Sequence, residues 1–295
     1  MERQMNRHID VQGPNLVQRK SKGNSTPSGD YPLGATRIEE HRLIRQAIDY
    51  EPRASLLFDR IGIRPGWNVG DLGCGPLGVL HLLSARVGPS GRVVGLEREP
   101  RFAAMARAEI ARRRLANVTI VEGDALATQL EKDAFDLVHE RLVAINVPAR
   151  GALLAEMMSL LRPGGIAVLE EVDNVSWVCQ PAHPSWDAIL GAFHAAFRAG
   201  GGDPFVGRRL PELLREAGAR EIQVAMHADL VAPGEYRRMH LVSLLDSVQD
   251  RILSLGLLKD DELRRHREAL VAHLEDPATT VIDKLRVQAW ARKPG

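Results

Sequence analysis

Val69-Gly70-Asp71-Leu72-Gly73-Cys74-Gly75-Pro76-Leu77-Gly78 is the stretch that decides the fold. A short run ending in an acid leads into three glycines spaced as GxGxxG, and an amphipathic segment follows at 78–87. This is the pattern of a strand, a tight turn and a helix whose N-terminus faces a ligand. The glycines let the backbone approach that ligand with no Cβ in between. Spacing alone suits a dinucleotide equally well. Asp71 argues against one, because a pyrophosphate on the helix N-terminus would meet its carboxylate at short range, and like charges repel there. A nucleoside that carries an ammonium group escapes that repulsion.

Outward from the loop, apolar strands at 68–72, 92–96, 118–122, 135–139 and 166–170 alternate with helices at 78–87, 100–114 and 148–161. Short strands alternating with longer amphipathic helices predict an α/β fold, a largely parallel sheet with helices on both faces. Beyond it the pattern continues with helices at 186–199 and 207–217, a strand at 221–226, helices at 234–255 and 260–274, and a last strand at 281–290, seven strands in all. Upstream, a helix at 35–51 stops at Pro52 and a short one spans 53–61. Residues 1–30 carry little to bury and read as a flexible arm. Residues 31–62 then form an N-terminal helical cap, and 63–295 the α/β domain, with helical insertions near 173–204 and 233–278. Those insertions are rich in Leu, Ala, Val and His, which suggests a closed, largely apolar pocket for a small acceptor.

Composition narrows the function. A formal net charge of +1 over 295 residues offers no broad basic field for nucleic acid. No apolar run reaches the roughly 18 residues needed to cross a bilayer, so no membrane partner is expected. Cys74 and Cys179 form neither a disulfide framework nor a metal-ligand spacing, and a reducing cytoplasm is the expected setting. No metal site is expected.

Two more acids sit where the rest of a nucleoside ligand needs them. Glu97 follows the second strand and can accept both hydroxyls of a ribose. Asp124 follows the third, placed to accept from an exocyclic amino group. Together with these, the series Gly95-Leu96-Glu97-Arg98-Glu99, Glu122-Gly123-Asp124-Ala125, Phe135-Asp136-Leu137-Val138-His139-Glu140-Arg141 and Arg162-Pro163-Gly164-Gly165 resembles the class I S-adenosylmethionine-dependent methyltransferases, especially the ubiquinone/menaquinone-biosynthesis C-methyltransferase branch. The resemblance implies a Rossmann-like seven-stranded sheet and S-adenosyl-L-methionine as co-substrate. It places Asp71, Gly73 and Gly75 at the methionine end, Glu97 and Arg98 at ribose and adenine, Asp124 and Ala125 at adenine, and Glu140 beside the methionine portion. Tyr31-Pro32-Leu33-Gly34 resembles the start of a cap that closes over the cofactor. Gly70 departs slightly from the motif, which often has an apolar residue there.

Methyl transfer from a sulfonium is an in-line displacement, so the protein chiefly orients the acceptor and removes a proton where one must leave. Glu170 and Glu171 end the fifth strand, and alternation sends them to opposite faces. Glu170, closing the apolar run, is the one expected to face the site as a base or a stabiliser of positive charge. His139 is a second candidate base and Tyr31 a third group that could reach the acceptor. His183, Trp177 and Trp186 are candidate pocket walls, and Arg208 a candidate contact for an anionic group. The expected reaction is methylation of a small, largely apolar specialised metabolite, favoured as C-methylation of a prenyl or terpenoid acceptor. O- or N-methylation of an aromatic or polyketide-like molecule is the alternative, and an NAD(P)-dependent oxidoreductase the alternative of another class. The N-terminal segment is expected to support a homo-oligomer.

Overall fold

The structure, a computed structural model, describes residues 37–295. The expected arm and Tyr31 lie outside them. The first described element is one long helix, α1 (Arg37–Ile61). Sequence reading breaks this segment at Pro52, yet the helix continues through it. A proline inside a helix costs about 3 kcal/mol. Ala47 and Tyr50 before it, and Ala54, Leu57 and Phe58 after it, are all buried. At roughly 1.5–3 kcal/mol for each large apolar side chain, one continuous buried stripe outweighs the break.

The alternation then unfolds as β1 (Asn68–Leu72), α2 (Leu80–Val87), β2 (Arg92–Glu97), α3 (Pro100–Arg113), β3 (Val118–Glu122), β4 (Phe135–Arg141), α4 (Arg150–Leu160) and β5 (Leu161–Asp173). The remaining elements are β6 (Val178–Gln180), α5 (Pro184–Ala199), α6 (Leu210–Glu216), β7 (Arg220–His227), β8 (Leu230–Val231), α7 (His240–Ser254), α8 (Asp260–Glu275), β9 (Thr280–Ile282) and β10 (Leu285–Arg292). Helix starts follow local chemistry. At α3, Pro100 fills the first turn, where its missing N–H is not needed, behind the cap Glu99. Pro184 does the same for α5 behind His183.

Seven strands form the main sheet in the order β3-β2-β1-β4-β5-β10-β7. The first five run parallel, and β10 is antiparallel to both its neighbours. The expected last strand, 281–290, is in fact two. Between them, Asp283 accepts from the Lys284 backbone N–H and pairs with Arg237 and Arg286, so the chain turns there. β9 instead joins β6 and β8 in a small second sheet. The insertion expected as helical near 173–204 therefore also holds β6. Strands of two or three residues are too short to show alternation in sequence.

Strand alternation divides the main sheet into two faces. Val69, Leu137, Ile166, Val168 and Trp290 pack with Ala54, Leu57 and Phe58 of α1 and with Leu80, Leu83 and Ala103 of α2 and α3. Leu72, Val138, Leu169 and Val287 face the opposite core, which contains Leu153, Ile189, Leu213 and Leu245.

Candidate active site

The loop after β1 is held open by backbone geometry. Gly73, Gly75 and Gly78 have φ of +69°, +62° and +52°, which glycine adopts without strain. A Cβ on Gly73 would lie 2.5 Å from Val143 Cγ2, and one on Gly78 only 2.3 Å from the Cys74 carbonyl oxygen. A Cβ on Gly75 would meet nothing within 4 Å. The N–H groups of Gly73 and Cys74 donate to the Leu96 carbonyl at 2.8 and 3.0 Å, tying the loop to β2. Glu97 then accepts from Gly75 N–H at 2.9 Å and from Glu99 N–H at 2.8 Å. Burial pushes the Glu97 carboxyl upward, and those backbone bonds oppose the shift. Asp124 and Arg98 stand exposed at the neighbouring strand ends and Ala125 is half-buried. Glu97 and Asp124, the acids expected at ribose and base, stand at or just past neighbouring strand ends beside the bare glycine backbone, and both Glu97 oxygens already accept from backbone N–H groups.

Asp71 is turned inward. It is 2% exposed, and its Oδ1 lies 2.7 Å from His139 Nδ1, while Oδ2 is buried without a hydrogen-bond partner. On its other side, His139 Nε2 lies 3.0 Å from Glu170 Oε1, and Gln288 Nε2 donates to Glu170 Oε2 at 2.7 Å. Register explains the row. Asp71 pairs with His139 across β1 and β4, Arg141 with Glu170 across β4 and β5, and Glu170 with Gln288 across β5 and β10. All four row members share the face beneath α1, where Phe58 meets the His139 ring edge-on at 5.4 Å. Burial opposes charge on His139, but the two carboxylates outweigh it and hold the imidazole up to about 9. As an imidazolium, His139 donates both ways and has no lone pair for an acceptor's proton. Burial likewise works against ionising Glu170, yet His139, Arg141 and Gln288 keep it below the usual carboxylate range. The expected pair of independent bases is thus one connected ion row. Asp71, expected at the donor's methionine end, spends one oxygen on that row.

Glu140 and Glu171 lie on the opposite face. Glu140 Oε2 accepts from Val143 and Ala144 N–H at 2.9 and 3.3 Å, which seats Val143 against Gly73. The side chain expected to border the donor therefore supports the glycine loop from below, because alternation points it away from His139. Glu171 accepts from Ile145 N–H at 3.0 Å and hydrogen-bonds Glu140, so the pair shares a proton. Burial pushes Glu140 up to about 7, and burial plus the Glu140 charge pushes Glu171 well above the carboxylate range.

On the Glu170 face, a cleft is lined by Tyr50, Arg53, Glu170, His227, Arg286 and Gln288. Most of these side chains are polar or charged, although the surface they present to the cleft is chiefly apolar. Gln288 and Arg286 were not singled out in the sequence, although polar residues alternating with Val287 and Ala289 in a strand near the C-terminus were the available signal. Trp177 and Trp186 are 1% and 2% exposed and pack edge-to-face at 5.6 Å, as core rather than as open walls. His183 caps α5 and stacks on His273. Arg208 does contact an anion, the buried Asp173 of its own chain. Among the described residues no His/Cys/Asp/Glu group is placed to hold a metal ion, and no helix is long and apolar enough to cross a membrane.

A methyltransferase domain family matches residues 63–198. Nocamycin O-methyltransferase of Saccharothrix syringae is 33% identical over 203 residues, covering 61% of this chain and 69% of that one. The chain belongs to the S-adenosylmethionine-dependent methyltransferase family. Trans-aconitate 2-methyltransferase of Methylobacterium radiotolerans is 33% identical over 198 residues, 67% of this chain and 65% of that enzyme's length. Geranyl diphosphate methyltransferase, solved with its donor, shares the fold at a TM-score of 0.52 and 17% identity, over 90% of this chain and 96% of that one. Membership of the methyltransferase family agrees with the glycine loop. Its members above act on unlike acceptors, so the acceptor side must be argued from this chain's own groups.

Proposed function

We propose that this chain transfers a methyl group from S-adenosylmethionine to a small-molecule acceptor seated at the C-terminal edge of β4, β5 and β10. The observation that carries the reading is the Asp71–His139–Glu170–Gln288 row, which runs from the donor loop to the cleft under α1. The donor supplies an electrophilic methyl group. The chain's own residues orient the two reactants and set the field where charge develops.

Within that activity we favour carbon as the methylated atom, in an acceptor of prenyl or terpenoid type. Methyl addition to an alkene leaves a tertiary cation that must then lose a proton, and Glu170, ionised beside the cleft, would both stabilise that charge and take the proton. O- or N-methylation of an aromatic acceptor would call on a neutral base, and His139, held as an imidazolium that donates both ways, does not supply one.

Calorimetric titration with S-adenosylhomocysteine and with NAD tests the donor, and binding of NAD alone would sink the assignment. Turnover of a prenyl diphosphate against phenolic acceptors tests the atom. Glu170→Gln is expected to lower kcat at least tenfold with little change in donor affinity, and full activity in that variant would remove the role given to Glu170.

A further inference from the structure

Arg141 closes β4, two residues past His139, and its Nη1 is buried with no hydrogen-bond partner. An N–H cut off from water and left unpaired costs about 1–3 kcal/mol, more for a charged group. Its surroundings explain why it stays unpaired. Arg141 Cζ lies 5.9 Å from the centre of the buried Tyr50 ring, and Arg286 Cζ lies 4.0 Å from the same centre. Two guanidiniums therefore share one aromatic ring. Arg286, 6% exposed, makes long contacts, 3.4 Å to the Asp49 carbonyl, 3.5 Å to Asp283 and 3.9 Å to Asp229. The carboxylate beside Arg141, Glu170, has both oxygens committed to His139 and Gln288. His227, in the same cleft, also has a buried Nε2 without a partner. Arg141 thus keeps a buried N–H donor without an acceptor beside the cleft, and a ligand oxygen would supply one.

We propose that the acceptor bears an anionic group, a carboxylate or a phosphate, and that Arg141 and Arg286 receive it beside Tyr50. The proposal rests on the methyltransferase reading and names the chemistry of its acceptor. Anchoring one end by charge fixes the remainder of the molecule against the row, with its reactive atom toward the glycine loop. It also assigns the polar end of an otherwise apolar acceptor.

The test is calorimetry on the full chain, with and without saturating S-adenosylhomocysteine, titrating citrate in one arm and inorganic pyrophosphate in the other. At least one probe should bind, and the arm that does distinguishes carboxylate from phosphate. Arg141→Gln should weaken that probe at least tenfold and change S-adenosylhomocysteine affinity less than threefold, with Arg141→Lys in between. Wild-type affinity for the probe should fall as sodium chloride is raised from about 50 to about 500 mM, a measurement that stands even if the variants fold poorly. Failure of both probes, or salt-independent binding, overturns the proposal. So does a loss of S-adenosylhomocysteine affinity in Arg141→Gln with probe binding intact, which would give Arg141 to the donor's carboxylate. Absence of S-adenosylhomocysteine binding in the wild type is a separate result and strikes the methyltransferase reading itself.

Discussion

The donor side and the acceptor side of this sheet are built by different physics. Around β1 and β2 the site is backbone: glycines in left-handed conformations, N–H groups bonded to the Leu96 carbonyl, and one carboxylate, Glu97, bonded to N–H groups on either side of it. Around β4, β5 and β10 it is side chains, buried and charged, meeting across three strands from residues up to 118 positions apart. A backbone site depends on space and φ. A buried ionic site depends on every partner being present, because a missing one leaves a charge without compensation. The two halves should therefore fail in different ways.

The largest effect belongs to the backbone half. Gly78→Ala places a Cβ 2.3 Å from a backbone carbonyl at a φ of +52°, and neither atom can move without opening the loop. Donor affinity, measured with S-adenosylhomocysteine, should fall by more than a hundredfold. Gly88→Ala is the control, since its φ is +66° but its Cβ would meet nothing within 4 Å, and it lies past the end of α2. It should cost about 1–3 kcal/mol of stability and leave donor affinity unchanged. Equal losses of donor affinity in both would mean that strain alone, not the shape of the loop, decides binding.

The same contrast explains what was legible beforehand. The glycine loop, the alternation of strands and helices and the strand-end positions of Glu97 and Asp124 are local in sequence, so reading residues in order finds them. Asp71 and His139 were visible as strand-end residues, but their contact depends on β1 and β4 lying side by side in one register. Gln288 and Arg286 enter the site only because β10 is inserted beside β5, antiparallel, after 111 residues of intervening chain that no local signal bridges. Pro52 misled for the complementary reason, since propensity argues for a break and tertiary burial of Tyr50, Leu57 and Phe58 overrides it.

His139 tests the ionic half. His139→Gln leaves Asp71 and Glu170 buried without the cation between them, and the cost should be about 3–5 kcal/mol, read from denaturant melts. The imidazole is raised from 6.5 to about 9 on folding. Its contribution is therefore full below about pH 6.5 and is lost as pH rises through 9, on the order of 3 kcal/mol in all. Wild type should lose stability over that window, and the variant should lose that slope. A variant whose pH profile parallels the wild type would show that the histidine is neutral in the fold, and the ion row would not exist as described.

The smallest effect is expected at Glu171, and it separates the two pH-dependent devices. Glu140 and Glu171 share a proton on the face opposite His139, and both carboxyls are raised by burial, Glu140 to about 7. Raised acids stabilise the fold below their unfolded pKa of 4.5 and lose that contribution as pH climbs through the folded values, a window that begins lower than that of His139. Glu171→Gln replaces a protonated carboxyl by an amide that can still donate to Glu140, so stability at pH 5 should stay within about 1 kcal/mol of wild type. At pH 8, where the wild-type pair is forced towards two buried negative charges, the variant should be the more stable protein. Because Glu140 seats Val143 against Gly73, donor affinity should hold at both pH values. If instead Glu171→Gln weakens the donor and leaves the pH profile untouched, the pair acts through the shape of the turn after β4 and not through its proton, and the boundary drawn between a backbone half and an ionic half would have to move to include it.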